Sequence, residues 1–396
     1  MHISLDSALG RQRRLNSVGE SVLQIAPNAA AAYSLRSLTG GDPKVVRVRR
    51  ASDNAESDFT AAGISSGALV NFVNDIQTVG TAVNGTGSFD NYTVSNLSNT
   101  GFSADNSAGG TGSAGFPYVF KDDDVLVVKY TVTNFSSTSG LSPALRGVNA
   151  INSVTGKTNS GTAFTANGTY TDTLTATADG THLMYADGNT GSYTISDFEI
   201  VSHSSNGFVE TWYDQSGNSN DAVQETASKQ PKIVNAGSLL ADGLTFDGSN
   251  DNLATTSAIS STDIAIACVS KSGNNGTAGI ISMLDAINDG HELLYLANNI
   301  RLATNNDDLN VTATITNQNL YFANYDGSTQ TVSVNGTAST GSASQTISVT
   351  QVAQIGSRRG SSFLNGSIEE LIIYTSDESS KRTAIEANIN SHYSIF

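Results

Sequence analysis

Cysteine and tryptophan occur once each in this sequence, and only five residues are proline. A single cysteine excludes an intrachain disulfide framework and a zinc site built from several cysteines. Cys268 lies within an apolar run, so we expect a buried, inert thiol. No apolar run approaches the ~20 residues that a membrane-spanning helix needs. The first residues also lack the basic-then-apolar pattern of a signal peptide. We therefore expect synthesis in a cytoplasm and no membrane insertion.

Positive charge is scarce outside the first 50 residues. The formal net charge is −16, yet residues 1–50 carry eight Lys and Arg against three Asp and Glu. The rest of the chain offers no counter-charge to nucleic acid or anionic membranes, so we expect neither as a partner. The basic N-terminal segment, residues 1–50, can bind an acidic surface of a neighbouring protein. The alternative is a solvated arm, with the later arginines paired inside a sheet.

The composition favours β-structure with many turns. Only 14% of the residues are charged, 37 are glycine, and Ser, Thr and Asn are abundant. Ser, Thr and Asn compete with helix hydrogen bonds, and glycine serves turn conformations. Strands are predicted at residues 45–50, 92–97, 125–133, 170–176, 193–201, 320–325 and 330–334.

Two dipeptides predict hairpin turns, and one apolar stripe predicts a helix near the end of the sequence. Asp326-Gly327 and Asn335-Gly336 suit hairpin turns because these residues tolerate positive φ. Residues 378–392 are predicted to form a helix, with Ile385 and Ile389 on one face. Residues 64–73 fit either a short helix or a strand.

Three segments resemble laminin-G-like domains, whose fold is a concanavalin-type sandwich. They are LTFDG at 244–248, the hairpin YDG…VSVNG at 325–336, and IG…FLNGSIEELIIY at 355–374. Three further segments are similar to the sandwich of fungal α-L-arabinofuranosidases: AYSL at 32–35, VRVRRASDN at 46–54 and VETWYDQSGNSND at 209–221. The same phrases, ending in a helix like residues 382–393, resemble proteins of marine bacteriophages.

The resemblance also implies a domain organisation. In such relatives the segment matching residues 68–73 runs almost directly into the equivalent of residues 206–209, whereas here residues 76–206 intervene. We expect an all-β fold: a concanavalin-like (laminin-G-like) β-sandwich with an inserted jelly-roll β-sandwich and a short N-terminal arm. The arm would be residues 1–32, the laminin-G-like sandwich residues 33–75 and 207–396, and the inserted, carbohydrate-binding-module-like sandwich residues 76–206.

The catalytic residues of the resembled glycosidases are not matched. A retaining glycosidase needs two carboxylates ~5 Å apart. The family's proton donor sits in a glycine-rich segment matched here by residues 355–361, which contain Arg358 and Arg359. An arginine cannot act as a proton donor at working pH. The family's nucleophile would fall near Glu292 or Asp285, without a clear match. We therefore expect no enzyme activity and no cofactor.

Other site motifs are weak. His291-Glu292 lacks the second histidine of a metalloprotease, and GTGSAG at 110–115 lacks the strand and helix of a dinucleotide site. The acidic turns at 121–124 and 305–308 have ligand types that calcium favours. Solvated turns are the commoner use of such residues, so we expect no bound metal.

Two groups of residues are candidates for glycan contact. Aromatic faces stack on sugars and amides bond hydroxyls, which singles out Trp212, Tyr213, Asp214, Gln215 and Asn218. The alternative, which we favour, is a core tryptophan followed by a turn that fixes a loop. Arg358 and Arg359, at the tip of a glycine-rich loop, are the second group, for an acidic glycan or a neighbouring protein. A merely solvated loop is the alternative there.

The resemblance to marine bacteriophage proteins implies a bacteriophage virion protein, such as a fibre, a spike or a capsid decoration. Its lectin-like domains would contact host-surface polysaccharide, and its location would be the virion. The arm, with Arg11, Arg13, Arg14 and Leu15, has too few regularly spaced apolar residues to fold alone. We expect it to bind other virion proteins and to support a homo-oligomer. The alternatives are a glycan hydrolase of arabinofuranosidase type and a secreted cellular adhesin.

Overall fold

The computed structural model describes residues 20–84, 93–105, 112–137, 144–147, 161–187, 191–285, 289–305, 307–343 and 347–396. The chain is all-β in these ranges, with antiparallel strands in three sheets and a few short helices. No helix in the described ranges is long and apolar enough to cross a bilayer. The proposed arm residues Arg11, Arg13, Arg14 and Leu15 lie outside the described residues.

The elements follow one another along the chain in this order. The first part contains α1 (Val22–Ile25), β1 (Ala31–Ser34), β2 (Lys44–Arg50), β3 (Glu56–Thr60), α2 (Ala61–Ser65), α3 (Ala68–Val73), β4 (Val83–Asn84), β5 (Thr93–Ser95), β6 (Phe102–Asp105), β7 (Gly112–Phe120), β8 (Val125–Ser137), β9 (Ala144–Gly147), β10 (Gly168–Thr175), β11 (Gly180–Asp187) and β12 (Gly191–Ser204). The second part contains β13 (Gly207–Trp212), β14 (Ala222–Val223), β15 (Lys232–Asn235), β16 (Ser238–Leu239), β17 (Leu244–Asp247), β18 (Leu253–Ser261), β19 (Ile264–Ser272), β20 (Ala278–Leu284), β21 (Gly290–Leu296), β22 (Asn299–Thr304), β23 (Asp307–Thr312), β24 (Asn319–Tyr325), β25 (Thr329–Val334), β26 (Thr337–Ser342), β27 (Val349–Ile355), β28 (Asn365–Tyr374) and α4 (Arg382–Tyr393). Short 3-10 helices lie at Ala227–Lys229 and Ser379–Lys381.

Strands β1–β3 and β13–β28 form the larger sandwich, which has two layers. In the first layer, β1 and β17 both pair with β28, followed by β19, β24, β25 and β26. In the second layer the order is β3, β2, β13, β14, β18, β27, β20, β21, β22, β23. The main core lies between the layers and includes Ile266 and Ile373 of the first and Val209 and Leu293 of the second.

The outer face of the first layer is covered by helices. Ala267 of β19 and Phe322 of β24 pack there against Val22 of α1 and against Ile385 and Ile389 of α4. All seven residues of β24 are buried, as expected for a strand that is covered on both faces. This packing explains why the apolar runs of β19, β24 and β28 are continuous rather than alternating.

The same packing corrects the predicted arm. Val22, Ala26 and Ala29 are buried against the first layer, and Ala31–Ser34 pairs with β28. Residues 20–32 therefore belong to the larger sandwich and not to a separate arm. Residues 20–32 have no local pattern that shows this burial, because Pro27 and the alanines after it interrupt the helical spacing and the strands that cover them are distant in sequence.

The smaller sandwich lies between α3 and β13. One sheet has the order β10, β8, β12, β6, β5, and the other β4, β7, β11, β9. Its core is rich in aromatic residues, with Phe116 and Phe198 stacked at 3.8 Å between ring centroids. The chain passes from β12 into β13 through Ser205 and Asn206. The division of the chain into separately folding domains stays a prediction.

Most of the local elements lie where the sequence predicts them. Each of the seven predicted strands overlaps an observed strand, and Gly327, Asn335 and Gly336 have positive φ at their turns. The ambiguous stretch 64–73 is mostly helical, in α2 and α3. Cys268 is buried, and burial raises the pKa of its thiol to about 12.

Candidate ligand-binding face

One row of side chains crosses the second layer at right angles to the strands. Its members are register partners on successive strands and therefore share one face of the sheet. The opposite face of these strands packs into the main core. We call the row, in spatial order, the cross-strand row: Asp58, Arg47, Thr211, Val223, Ala254, Gln354, Ser282, Glu292, Ala303 and Asp308.

A polar cavity of about 250 Å³ opens where the row reaches Glu292. The Glu292 side chain is 1% exposed, and its carboxylate accepts hydrogen bonds from Ser282 Oγ at 2.7 Å and Arg358 Nε at 2.9 Å. On the far side, Arg301 pairs with Asp308 at 2.7 Å. The lining is Leu284, Glu292, Leu294, Arg301, Ala303, Asn305, Asp308 and Arg358. Each charged side chain of this cavity thus has a partner of opposite sign.

Two glycines let the Arg358 loop approach the sheet. At Gly279 a Cβ would lie 2.4 Å from the carbonyl carbon of Ser357. Gly356 has φ +79°, and a Cβ there would lie 2.3 Å from the ring of Phe246. A side chain at Gly279 would push the loop away from β20, and one at Gly356 would push it away from Phe246 of β17. The loop closes on itself through the bridge between Arg358 and Ser361.

The predicted contact residues Arg358 and Arg359 lie next to Glu292 and Asp285, the two acidic residues considered as nucleophiles above. Arg358 binds Glu292, and the exposed Arg359 donates to the backbone carbonyl of Asp285 at 2.7 Å. The Glu292 carboxylate is therefore bonded to the guanidinium of Arg358, where a glycosidase would have a second carboxylic acid. The arrangement can bind polar groups, but this pair lacks the two carboxylates of a retaining glycosidase.

A second cavity, of about 450 Å³, lies beside the row near β13. Phe208 contributes an aromatic ring, with the Arg49 guanidinium 5.0 Å and the Lys232 ammonium 5.7 Å from its centroid. Such contacts between cations and a ring hold the ring in place. The lining is Phe208, Ala227, Ser228, Gln230, Lys232, Asn235, Leu240, Thr245, Asp247 and Asp251.

The two carboxyl groups of this second cavity differ in acidity. Burial and the neighbouring charge of Asp247 raise the pKa of Asp251 to about 7. Burial alone would raise the pKa of Asp247 as well, but the backbone N–H groups of Ser249, Asn250 and Asp251 outweigh it, and that pKa is lowered. Near neutral pH one group is therefore partly protonated and the other is charged.

The structure places the Trp212 segment in the interior. Trp212 is fully buried with its ring centroid 5.5 Å from that of Tyr33, so neither face is open to a sugar. Gln215 is buried and bonds the backbone of Ser34, Arg36 and Leu38. We therefore remove Trp212 and Gln215 from the candidate glycan contacts.

The rest of the segment fixes the loop that follows β13. Asp214 accepts hydrogen bonds from the backbone N–H groups of Ala32, Ser216 and Asn220. Asn218 donates to the carbonyl of Ala29 at 2.8 Å. The hydroxyl of Tyr213 donates to Asp58 at 2.7 Å, which brings this residue to one end of the cross-strand row. This geometry supports the structural interpretation for Asp214 and Asn218.

Sequence reasoning missed several residues of the face. Phe208, Asp251 and Gln354 are isolated polar or aromatic residues, and nothing in the local sequence distinguishes them. Within the described ranges, no group of three or more His, Cys, Asp or Glu is placed to hold a metal ion. In the acidic turn at 121–124, Asp124 accepts a hydrogen bond from the buried His203 at 2.8 Å.

Comparisons with known proteins give distant likenesses. No protein-family model matches the chain, and no curated protein sequence matches it. A sialidase of Trypanosoma rangeli is similar with a TM-score of 0.34 and 14% identity, over 46% of this chain and 31% of the sialidase. The binding domain of botulinum neurotoxin serotype D gives a TM-score of 0.34 and 13% identity, over 46% of this chain and 47% of that one. A truncated AlyQ with CBM32 and alginate lyase domains gives 0.24 and 11%, over 76% and 96%. The chain thus spans less than half of the first two structures.

Proposed function

We propose that this chain is a non-catalytic carbohydrate-recognition protein and that the cavity at Glu292 and Arg358 holds a sugar. The observation that carries the proposal is the preformed cavity on the outer face of the second layer. Its polar groups project from strands and from a loop braced by two glycines. Groups held in this way lose little freedom when a ligand binds.

The charge distribution supports a sugar over an ion. Glu292 is paired with Arg358, and Arg301 with Asp308, so the cavity offers hydrogen-bond donors and acceptors without an unpaired charge. Neutral hydroxyl groups meet both needs, since a hydroxyl donates and accepts. A few fixed polar groups in a concave site are typical of small-ligand recognition.

We further propose that the protein acts in a bacteriophage virion, as a fibre, spike or capsid decoration that contacts host-surface polysaccharide. The resemblance of residues 32–35, 46–54, 209–221 and 382–393 to marine phage proteins supports this role. Assembly through residues 1–19, which include Arg11, Arg13, Arg14 and Leu15, and formation of a homo-oligomer belong to the same proposal. A secreted adhesin stays the alternative.

The sugar site is tested by Glu292→Gln and Arg358→Met. Hydrogen bonds to charged groups contribute ~1.5–3 kcal/mol, so we expect the affinity for a glycan that the native protein binds to fall about 10-fold or more. An array of neutral and acidic bacterial glycans identifies such a glycan, and calorimetry measures the affinity. Arg382→Met is the matched control, because Arg382 pairs with Glu386 in α4, away from the cavity. Equal affinity in all variants would refute the site.

A second candidate function is glycan hydrolysis in the larger cavity. It is favoured by one observation: Asp247 and Asp251 line that cavity with pKa values displaced in opposite directions. Environments that separate two carboxyl pKa values are typical of an acid and its partner in catalysis. The test is release of reducing ends from bacterial polysaccharides by the native protein and by Asp251→Asn. Release that the substitution abolishes would favour a hydrolase, and binding without release would favour recognition alone.

A further inference from the structure

Four residues with amide side chains form a line of hydrogen bonds on the second layer between the two cavities. Gln230 Nε2 donates to the carbonyl of Gln224 at 2.7 Å, and Gln224 Nε2 donates to Asn252 Oδ1 at 3.0 Å. Asn252 Nδ2 then donates to Gln354 Oε1 at 3.1 Å. We call these four residues the amide chain. It begins in the cavity of Phe208, which Gln230 lines.

The other end of the amide chain reaches the sugar site. Gln354 is the register partner of Ser282, and Ser282 Oγ donates to Glu292 at 2.7 Å. Gln224, Asn252 and Gln354 are half-buried, so part of each side chain faces solvent. Polar residues therefore occupy successive positions on the sheet between the two cavities.

We call the strip of the second layer that lies between the two cavities the trough. In the middle of the cross-strand row, the side chains of Val223, Ala254 and Ser282 are small and only Gln354 is long, while arginines lie towards the two ends, at Arg47 and Arg358. Five inter-strand steps separate β13 from β21, which at about 4.8 Å per step makes roughly 24 Å. A ligand that fills this length must be a polymer instead of a single sugar.

We propose that the trough binds a linear, neutral polysaccharide laid across the strands, from the Phe208 cavity to the Glu292 cavity. The proposal rests on the proposed recognition function and names its ligand class. Each primary amide offers two N–H donors and a carbonyl acceptor, and the bond from Asn252 to Gln354 uses only the carbonyl oxygen of Gln354, so its N–H groups can donate to a ligand. Successive hydroxyls along a polysaccharide fit such a line of mixed donors and acceptors.

The ion pairs along the cross-strand row argue against acidic polymers, and the direction of the row argues against an extended peptide. Arg47 pairs with Asp58, Arg301 with Asp308, and Arg358 with Glu292. Nucleic acids and acidic polymers gain their affinity from unpaired cations, which these pairs do not provide. An extended peptide binds along the edge of a sheet, parallel to its strands, whereas the trough runs perpendicular to them.

The trough is tested with disaccharides and hexasaccharides of cellulose, xylan, arabinan and laminarin, each titrated against the full chain. The native protein should bind one hexasaccharide at least about tenfold more tightly than its disaccharide, a difference of ~1.4 kcal/mol. Ala254→Tyr fills the trough and should remove that gain. Gln354→Ala removes an amide without adding volume and should reduce the gain in part. Ala338→Tyr, at an exposed position of β26 in the first layer, is the matched control.

The outcomes separate the trough from the sugar site. Equal affinity for the short and the long ligand, with both lost in Glu292→Gln, would overturn the trough and leave the sugar site standing. A hexasaccharide gain that persists in both Ala254→Tyr and Gln354→Ala would also overturn it. If none of the four neutral series binds, a linear neutral polysaccharide is excluded, and binding of another glycan on the array then decides the sugar site by itself.

Discussion

The ion pair between Arg36 and Glu370 gives the sharpest test of how the larger sandwich is held together. Glu370, on β28, has a side chain with 0% exposure, and Arg36 follows β1 with 16%. The guanidinium donates to both carboxylate oxygens, at 2.7 and 2.8 Å. Arg36 also donates to Asn388 of α4 at 3.1 Å, and Ser34 donates to the same carboxylate at 3.0 Å. One buried pair therefore joins two strands and the C-terminal helix.

We expect Arg36→Met to lower the free energy of unfolding by ~3–5 kcal/mol, because it leaves a buried carboxylate without a counter-charge. For a unit of 150–250 residues this corresponds to a fall in Tm of roughly 6–20 °C. The double variant Arg36→Met with Glu370→Gln leaves no charge at this buried pair. Its loss of unfolding free energy should therefore be smaller than that of Arg36→Met alone, by ~1–3 kcal/mol. Lys44→Met is the control, because Lys44 pairs with Asp58 while 61% exposed, and exposed pairs contribute ~0–1 kcal/mol.

Denaturant unfolding followed by tryptophan fluorescence measures these differences. Trp212 is the only tryptophan and is buried in the larger sandwich, so its emission reports on that sandwich and not on the smaller one. The reasoning is refuted if Arg36→Met costs no more than Lys44→Met. It is also refuted if the double variant is less stable than Arg36→Met, since the cost would then lie in lost packing and not in the unpaired charge.

Three further predictions follow from the site and the N-terminal segment. Gly279→Ala places a Cβ 2.4 Å from the carbonyl carbon of Ser357, so we expect the free energy of unfolding to fall by ~1–3 kcal/mol, as measured by thermal melting. Glycan binding, measured by calorimetry, should also weaken. Unchanged affinity would show that the position of the Arg358 loop does not matter for binding. Burial and a neighbouring carboxylate raise the pKa of Asp251 to about 7, so the native state holds a proton that the unfolded state releases near pH 4. The contribution of Asp251 to the free energy of unfolding should therefore fall as pH rises from about 4 to about 7, by at most ~1.4 kcal/mol per pH unit. Asp251→Asn should reduce the pH dependence of the free energy of unfolding over that range, as measured by denaturant unfolding at several pH values. Deletion of residues 1–19 should leave the melting temperature unchanged and abolish assembly. Deletion of residues 1–32 should lower the melting temperature, because it uncovers the outer face of the first layer. Equal melting temperatures for the two truncations would contradict a sandwich that begins at residue 20.

Much of the local structure could be predicted from the sequence. Strand alternation, the Asp-Gly and Asn-Gly turns and the stripe at Ile385 and Ile389 depend on neighbouring residues, and the structure has these elements at the predicted places. The sequence also predicts Arg358 and Arg359 as candidate contact residues on a loop, because the glycines of the loop and its two charges lie in one short segment. The burial of residues 20–32 was not, since Val22 is covered by strands and a helix more than 200 residues away.

The sequence by itself determined that this chain is all-β, that its turns fall at particular dipeptides and that its single thiol is unreactive, because backbone propensity and side-chain alternation act over a few residues. Only the tertiary structure decided which strands are neighbours. Glu292 meets Arg358 across 66 residues, and Asn252 meets Gln354 across 102. Strand order follows from the burial of both layers at once, so no local pattern places these side chains on one face. The candidate site consists of such long-range neighbours, whereas Trp212 and Gln215 of the local cluster are buried inside the larger sandwich.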